Sequence, residues 1–226
     1  MKKTFFLSIL SICSFFASAQ ISFNTPDEGG INSFVTMNKD YSDVKATGSP
    51  FLEDDLFKPG VVLMKGKKQM DGEFRFNAYK GELEISKSET KYSVVLKRSY
   101  ISVKIENTLY QLLPYKDIQG RVKVAYFNPQ NEGMVQLLFK PEIKLKRGRT
   151  PQTGYDRYVP PKYIDASNYY IKVGDKPAVK TSLKRKKILK FLKDHEDKVS
   201  GFIKENSLNL RKKEDIVKVL NFYNEL

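Results

Sequence analysis

The residues able to do chemistry are few, and each has a plainer structural reading beside it. The single histidine, His195, stands in Lys193-Asp194-His195-Glu196. A nucleophile–histidine–acid system needs its imidazole buried beside a serine, whereas a helix start among charges points to a solvated ring. One histidine leaves a zinc site to be completed by carboxylates, so no metal is expected. Glu53-Asp54-Asp55 offers oxygen ligands, but no loop of the Asp-x-Asp-x-Asp-Gly type surrounds it, and it reads as an acidic cluster beside a turn rather than a calcium site. Glu82 and Glu84 project from one strand face two residues apart. That spacing is compatible with acid/base carboxylates and, more simply, with cross-strand partners for Arg75 on a wet face. Arg75, Asn77 and Tyr79 share the polar face of the preceding strand. Buried under a loop, they would form either a structural network or a ligand contact. The strongest ligand-binding candidates are Arg147, Arg149, Tyr155, Arg157 and Tyr158, with Tyr163, because tyrosine beside arginine suits sugars or acidic groups. Their alternative is a cover strapped across the sheet. Lys184, Arg185, Lys186, Lys187 and Lys190, with Lys193, make the densest basic run. It suits an anionic membrane surface, at ~1 kcal/mol per basic residue, or serves only as a solvated face. No glycine-rich phosphate loop or dinucleotide fingerprint occurs, and no cofactor is implied.

The elements that must position these residues are mostly strands. Residues 71–85 form the clearest hairpin. Phe74, Phe76 and Ala78 alternate with Arg75, Asn77 and Tyr79, Lys80-Gly81 turns the chain, and Leu83 and Ile85 face inward on the return. Period-two alternation continues through 92–97, 101–106, 109–113, 122–127, 135–139 and 143–145, with shorter apolar runs at 34–37, 44–47 and 61–64 before it. Gly48-Ser49-Pro50, Pro59-Gly60, Gly120, Asn128-Pro129 and Asn131-Glu132-Gly133 read as turns. Such spacing predicts an antiparallel meander, not alternating βαβ units. Residues 147–168, with Pro151, Gly154, Pro160 and Pro161, break the pattern and read as a long surface loop. Residues 169–173 add a strand, and 177–180 pair back onto it.

From Ser182 the period changes. Ile188, Leu189 and Leu192, then Val199, Phe202 and Ile203, then Ile216, Val219, Leu220 and Tyr223 follow helical spacing. Ser182 and Asp194 are the expected caps of the first two helices, and residues 212–224 make the third. The predicted architecture is α+β. A curved, barrel-like antiparallel sheet spans 20–180, and a basic tail of two or three short helices spans 181–226.

The chain's start reads as an address. Lys2 and Lys3 precede an apolar run over 5–16, and Ala17-Ser18-Ala19 fits small-x-small cleavage. The run is shorter than the ~20 residues a membrane span needs, so residues 1–19 are expected to be a signal peptide and no transmembrane segment should survive cleavage. Cys13, preceded by Ile12, lies inside the run. A lipoprotein is therefore not expected, and the mature chain would have no cysteine for disulfides or thiol chemistry.

The formal net charge of +14 is uneven. Residues 20–139 hold 16 basic against 15 acidic side chains, and residues 140–226 hold 22 against 11. That asymmetry points to an anionic partner or to solubility. An exported chain without a nucleic-acid motif gives no reason to expect nucleic acid.

Gly48-Ser49-Pro50-Phe51-Leu52, Pro59-Gly60, residues 74–79 with Glu82-Leu83-Glu84, Tyr169-Tyr170, residues 202–206 and Tyr223-Asn224 resemble an uncharacterised family of secreted Bacteroidota-type proteins. The resemblance runs over most of the mature chain. It implies export and a β-then-α order, and it carries over no catalytic residue. The expected function is accordingly a non-enzymatic envelope or secreted protein that engages an anionic or protein partner. A carrier of lipid or another apolar ligand comes second, and a carboxylate-dependent hydrolase third.

Overall fold

The computed structural model describes residues 46–226 apart from 89, 90 and 154, together with the backbone of Val35–Thr36. These belong to a unit running from Phe34 to Leu226. The expected signal peptide, the lead-in over 20–33 and the first half of the weak strand at 44–47 lie outside the described residues.

The α+β order is as the sequence implies. Strands β1 (Val35–Thr36), β2 (Lys58–Met64), β3 (Lys67–Asn77), β4 (Glu82–Ser88), β5 (Lys91–Val95), β6 (Ile101–Ile105), β7 (Thr108–Lys116), β8 (Val122–Pro129), β9 (Val135–Lys140), β10 (Ile143–Lys146), β11 (Lys162–Asp165), β12 (Asn168–Val173) and β13 (Ala178–Thr181) precede helices α1 (Arg185–Leu189), α2 (Glu196–Glu205) and α3 (Lys213–Asn224). β7, β8, β9, β12 and β13 pair antiparallel in turn, except that β13 returns to β7 in parallel and closes a five-stranded barrel. From the first half of β7 the sheet continues through β6, β2, β3, β4 and β5 to β1 as a wing.

Alternation sends each strand's apolar residues to two places. One set (Leu113, Tyr115, Ala125, Phe127, Leu138, Tyr170 and Ala178) draws on all five barrel strands and fills the interior. Tyr115, Phe127 and Tyr170 meet there edge to face, with ring centroids 5.2–5.8 Å apart, the geometry their quadrupoles favour. On the outside of β7 and β8, Leu112 and Tyr126 join Val62, Phe74, Leu83, Val103 and other wing residues in a second core. On the outside of β9 and β12, Val135, Leu137 and Ile171 meet Ile188, Leu192, Val199, Ile203, Ile216, Val219 and Leu220 from the helices.

Five local expectations are corrected. Pro59-Gly60 and Asn128-Pro129 are not turns but lie in β2 and β8. A Cβ on Gly60 would stand 2.6 Å from the Lys104 carbonyl and 2.9 Å from Phe74, so the glycine permits close strand approach. Residues 147–168 do not form one unstructured loop. β10 pairs antiparallel with β11, and Arg149 and Val159 exchange backbone hydrogen bonds of 2.8 and 3.0 Å beyond them, so the segment is a hairpin arm. Pro151, Pro160 and Pro161, between the two strands, masked this pairing in the sequence. Finally, Ser182 and Asp194 do not cap. The N-cap positions of α1 and α2 are Lys184 and His195, and neither makes a side-chain capping bond. Burial of Ile188 and Val199 in the shared core anchors these helices instead.

Candidate functional site

The face carrying Arg75, Asn77 and Glu84 is buried, not wet. Turn closure at Gly81, which has φ +62°, places Arg75 opposite Glu84 and Asn77 opposite Glu82. Arg75 Nε donates to Glu84 Oε2 at 2.7 Å, and Asn77 Nδ2 donates to Glu84 Oε1 at 3.1 Å. The side chain of Glu84 is 0% exposed and that of Arg75 12%. What covers them is residues 48–57, a strap rather than the later loop. Arg75 Nη1 donates to the Asp55 carbonyl at 2.7 Å, and its guanidinium stacks on Phe57 at 4.2 Å and Phe51 at 4.7 Å. The Tyr79 N–H donates to the Pro50 carbonyl at 3.1 Å. The guanidinium is thus a rivet through a strap, its directional bonds and its ring faces given to the protein.

The arm meets this site at one place. Tyr163 packs edge to face on Tyr79 at 5.2 Å, and the Thr47 N–H donates to the Pro161 carbonyl beside it. Arg147, Arg149, Tyr155, Arg157 and Tyr158 are exposed. Among the described residues no hydrogen bond, ion pair or ring contact joins these five to Arg75 or Asn77. The structure therefore does not gather the sequence candidates into one pocket.

The remaining carboxylates and the imidazole have structural partners. Glu53 and Asp54 bracket Lys58 Nζ at 3.1 and 3.2 Å, and their hydrogen bonds hold the ammonium pKa above its ordinary value. His195 packs against Tyr223 at 5.8 Å between ring centroids. Among the described residues no group of three or more His, Cys, Asp or Glu is placed to hold a metal ion.

The basic run is differently placed. Ile188 and Leu192 are inserted in the helical core. That anchoring presents Arg185, Lys186, Lys187, Lys190 and Lys193 around one concave surface of about 640 Å³, whose lining also includes Leu189 and Glu196. None of these five cations, nor Lys184, has a carboxylate within ion-pair distance among the described residues. Lys190 Nζ lies 4.6 Å from the centre of the Phe191 ring. No helix among the described residues is long and apolar enough to cross a membrane.

Sequence reasoning missed a second recess, beside the strap, to which β7, β8, β9 and β12 contribute Tyr110, Asn128, Phe139 and Tyr169. These come from four separate strands, and the register of the sheet brings them together, Asn128 opposite Phe139 and Phe139 opposite Tyr169. Against known protein families, curated proteins and solved structures, the chain finds no match.

Proposed function

We propose that this is an exported, non-enzymatic protein of the cell envelope that docks on an anionic surface through α1. The observation that carries the reading is the set of five cations, without a carboxylate partner among the described residues, held around one concave surface by α1 and the turn that follows it, whose apolar side is locked in the core. A free tail would lose more backbone entropy on docking than a helix already anchored in the core. Export is supported by the basic, apolar and small-residue order of the first nineteen residues, and by the resemblance to secreted proteins.

The packing weighs against the other two readings. A carrier needs a continuous apolar cavity, and the barrel interior is occupied by Tyr115, Phe127, Tyr170 and Leu138. A hydrolase needs a poised carboxyl, and the buried Glu84 is bound to Arg75 and Asn77.

Co-sedimentation with phosphatidylcholine vesicles containing phosphatidylglycerol tests the proposal. Binding should require the anionic lipid and fall as salt rises, since the Debye length shrinks to ~8 Å at physiological ionic strength. Lys184→Glu with Lys187→Glu removes two attractions of ~1 kcal/mol each, so affinity should drop at least ~30-fold. Equal binding of the wild type to uncharged vesicles, or no loss in the double variant, would overturn it.

A further inference from the structure

Where the wing, the barrel, the strap and the start of α3 meet, the surface opens into a cleft of about 410 Å³, within the range of small-ligand sites. Its apolar lining is largely aromatic. Phe76 and Tyr110 have ring centroids 4.9 Å apart, and Phe139 and Tyr169 stand 5.3 Å apart. Three carboxylates (Glu53, Asp54 and Glu106) face three cations (Lys58, Arg75 and Lys213). The charges cancel, in a chain of formal net charge +14. An anion gains little from such a lining, and a wholly apolar ligand would have to desolvate it.

The cleft also holds polar atoms that have no protein partner among the described residues and stay open to solvent. Asn128 is buried, and its Nδ2 donates to the Leu109 carbonyl at 2.9 Å. That bond fixes the side chain and leaves Oδ1 without a donor among the described residues. Gln130 Nε2 likewise donates to the Asn128 carbonyl at 2.8 Å, leaving Oε1 as an acceptor. The Tyr110 hydroxyl has no hydrogen-bond partner among the described residues, although burial pushes its pKa up to about 12. That hydroxyl keeps contact with solvent, so a ligand hydroxyl can replace water as its partner. Two locked acceptors and a protonated phenol beside two aromatic pairs match a ligand that has hydroxyls on its edge and C–H groups on its faces.

We propose that this cleft binds an uncharged saccharide unit, its face against Phe139 or Tyr110 and its hydroxyls on Asn128 Oδ1, Gln130 Oε1 and the Tyr110 hydroxyl. The site uses none of the α1 cations, so it stands or falls independently of docking on an anionic surface.

Saturation-transfer NMR of the purified protein with chitotriose, cellotriose and mannotriose, each against trigalacturonate, tests it. At least one neutral trisaccharide should receive saturation, and trigalacturonate should bind more weakly. Tyr110→Phe should weaken that binding about five- to tenfold, the loss of one hydrogen bond, while the thermal midpoint stays unchanged. Gln130→Ala gives a second variant outside the hydrophobic core, with an expected loss of similar size. The proposal is overturned if no neutral trisaccharide binds, if the acidic one binds as well, or if both variants keep wild-type affinity.

Discussion

Arg75 shows how a residue suited to ligand binding is consumed by the fold. Its guanidinium serves Glu84, the Asp55 carbonyl and the rings of Phe51 and Phe57 at once. Breaking one side of a buried ion pair leaves an uncompensated charge, so Arg75→Met should cost ~3–5 kcal/mol. Replacing both partners, Arg75→Met with Glu84→Leu, should recover most of that loss, because two apolar side chains need no solvation. Denaturant melts of the two variants and the wild type check this. A double variant no more stable than the single one would mean that the loss comes from the strap contacts and not from the stranded Glu84 charge. The shared face was legible, but the register was not: a two-residue turn at Lys80-Gly81 would set Asn77 across from Glu84, whereas the four-residue loop over 78–81 puts Arg75 there. The burial was not legible either. It comes from residues 48–57, roughly twenty positions earlier, and no local period in β3 or β4 records that a strap lies over them.

Between elements, one asparagine joins the last helix to the barrel. The Val135 N–H donates to Asn224 Oδ1 at 2.8 Å, and Asn224 Nδ2 donates back to the Val135 carbonyl at 3.0 Å and to the Glu132 carbonyl at 2.8 Å. The side chain thus completes the end of β9 as a neighbouring strand would. Asn224→Ala should destabilise the protein by ~1–3 kcal/mol, the cost of unsatisfied buried groups. Gly133 belongs to the same junction, since at φ +106° its Cβ would lie 2.5 Å from Asn224 Nδ2. Gly133→Ala should therefore destabilise too. Because both changes break one contact, their effects should sum to less than the two separately, which a double-mutant cycle measures. At this scale the helices could be read from their apolar period, and the arm could not. β10 and β11 are short, half-exposed and separated by a proline-containing stretch, so their pairing shows in the register Lys144 with Ile164 and not in either segment alone.

At the scale of the molecule, closure of the barrel decides what is buried, and it rests on the parallel contact of Ala178 with Tyr115 and Val179 with Lys116. A contact so short leaves no mark in the sequence, whereas the curved sheet and the shift of charge towards the C-terminal half did. Closure also buries phenols in both halves. Burial raises Tyr110 in the cleft and Tyr170 in the barrel from 10.0 to about 12, and pushes Tyr126 between barrel and wing further up. Above pH 10 the unfolded chain releases these protons and the folded chain holds them, so stability must fall with rising pH. It should be at its full value below about pH 10 and be lost as pH climbs towards about 12, since each folded value is raised. Tyr110→Phe with Tyr170→Phe removes two of the three groups and should flatten that decline without changing the fold at pH 7. Equilibrium unfolding between pH 8 and pH 11.5 measures it. An unchanged slope in the double variant would mean that these phenols already ionise in the folded protein, and that the cleft and the barrel admit more water than their packing implies.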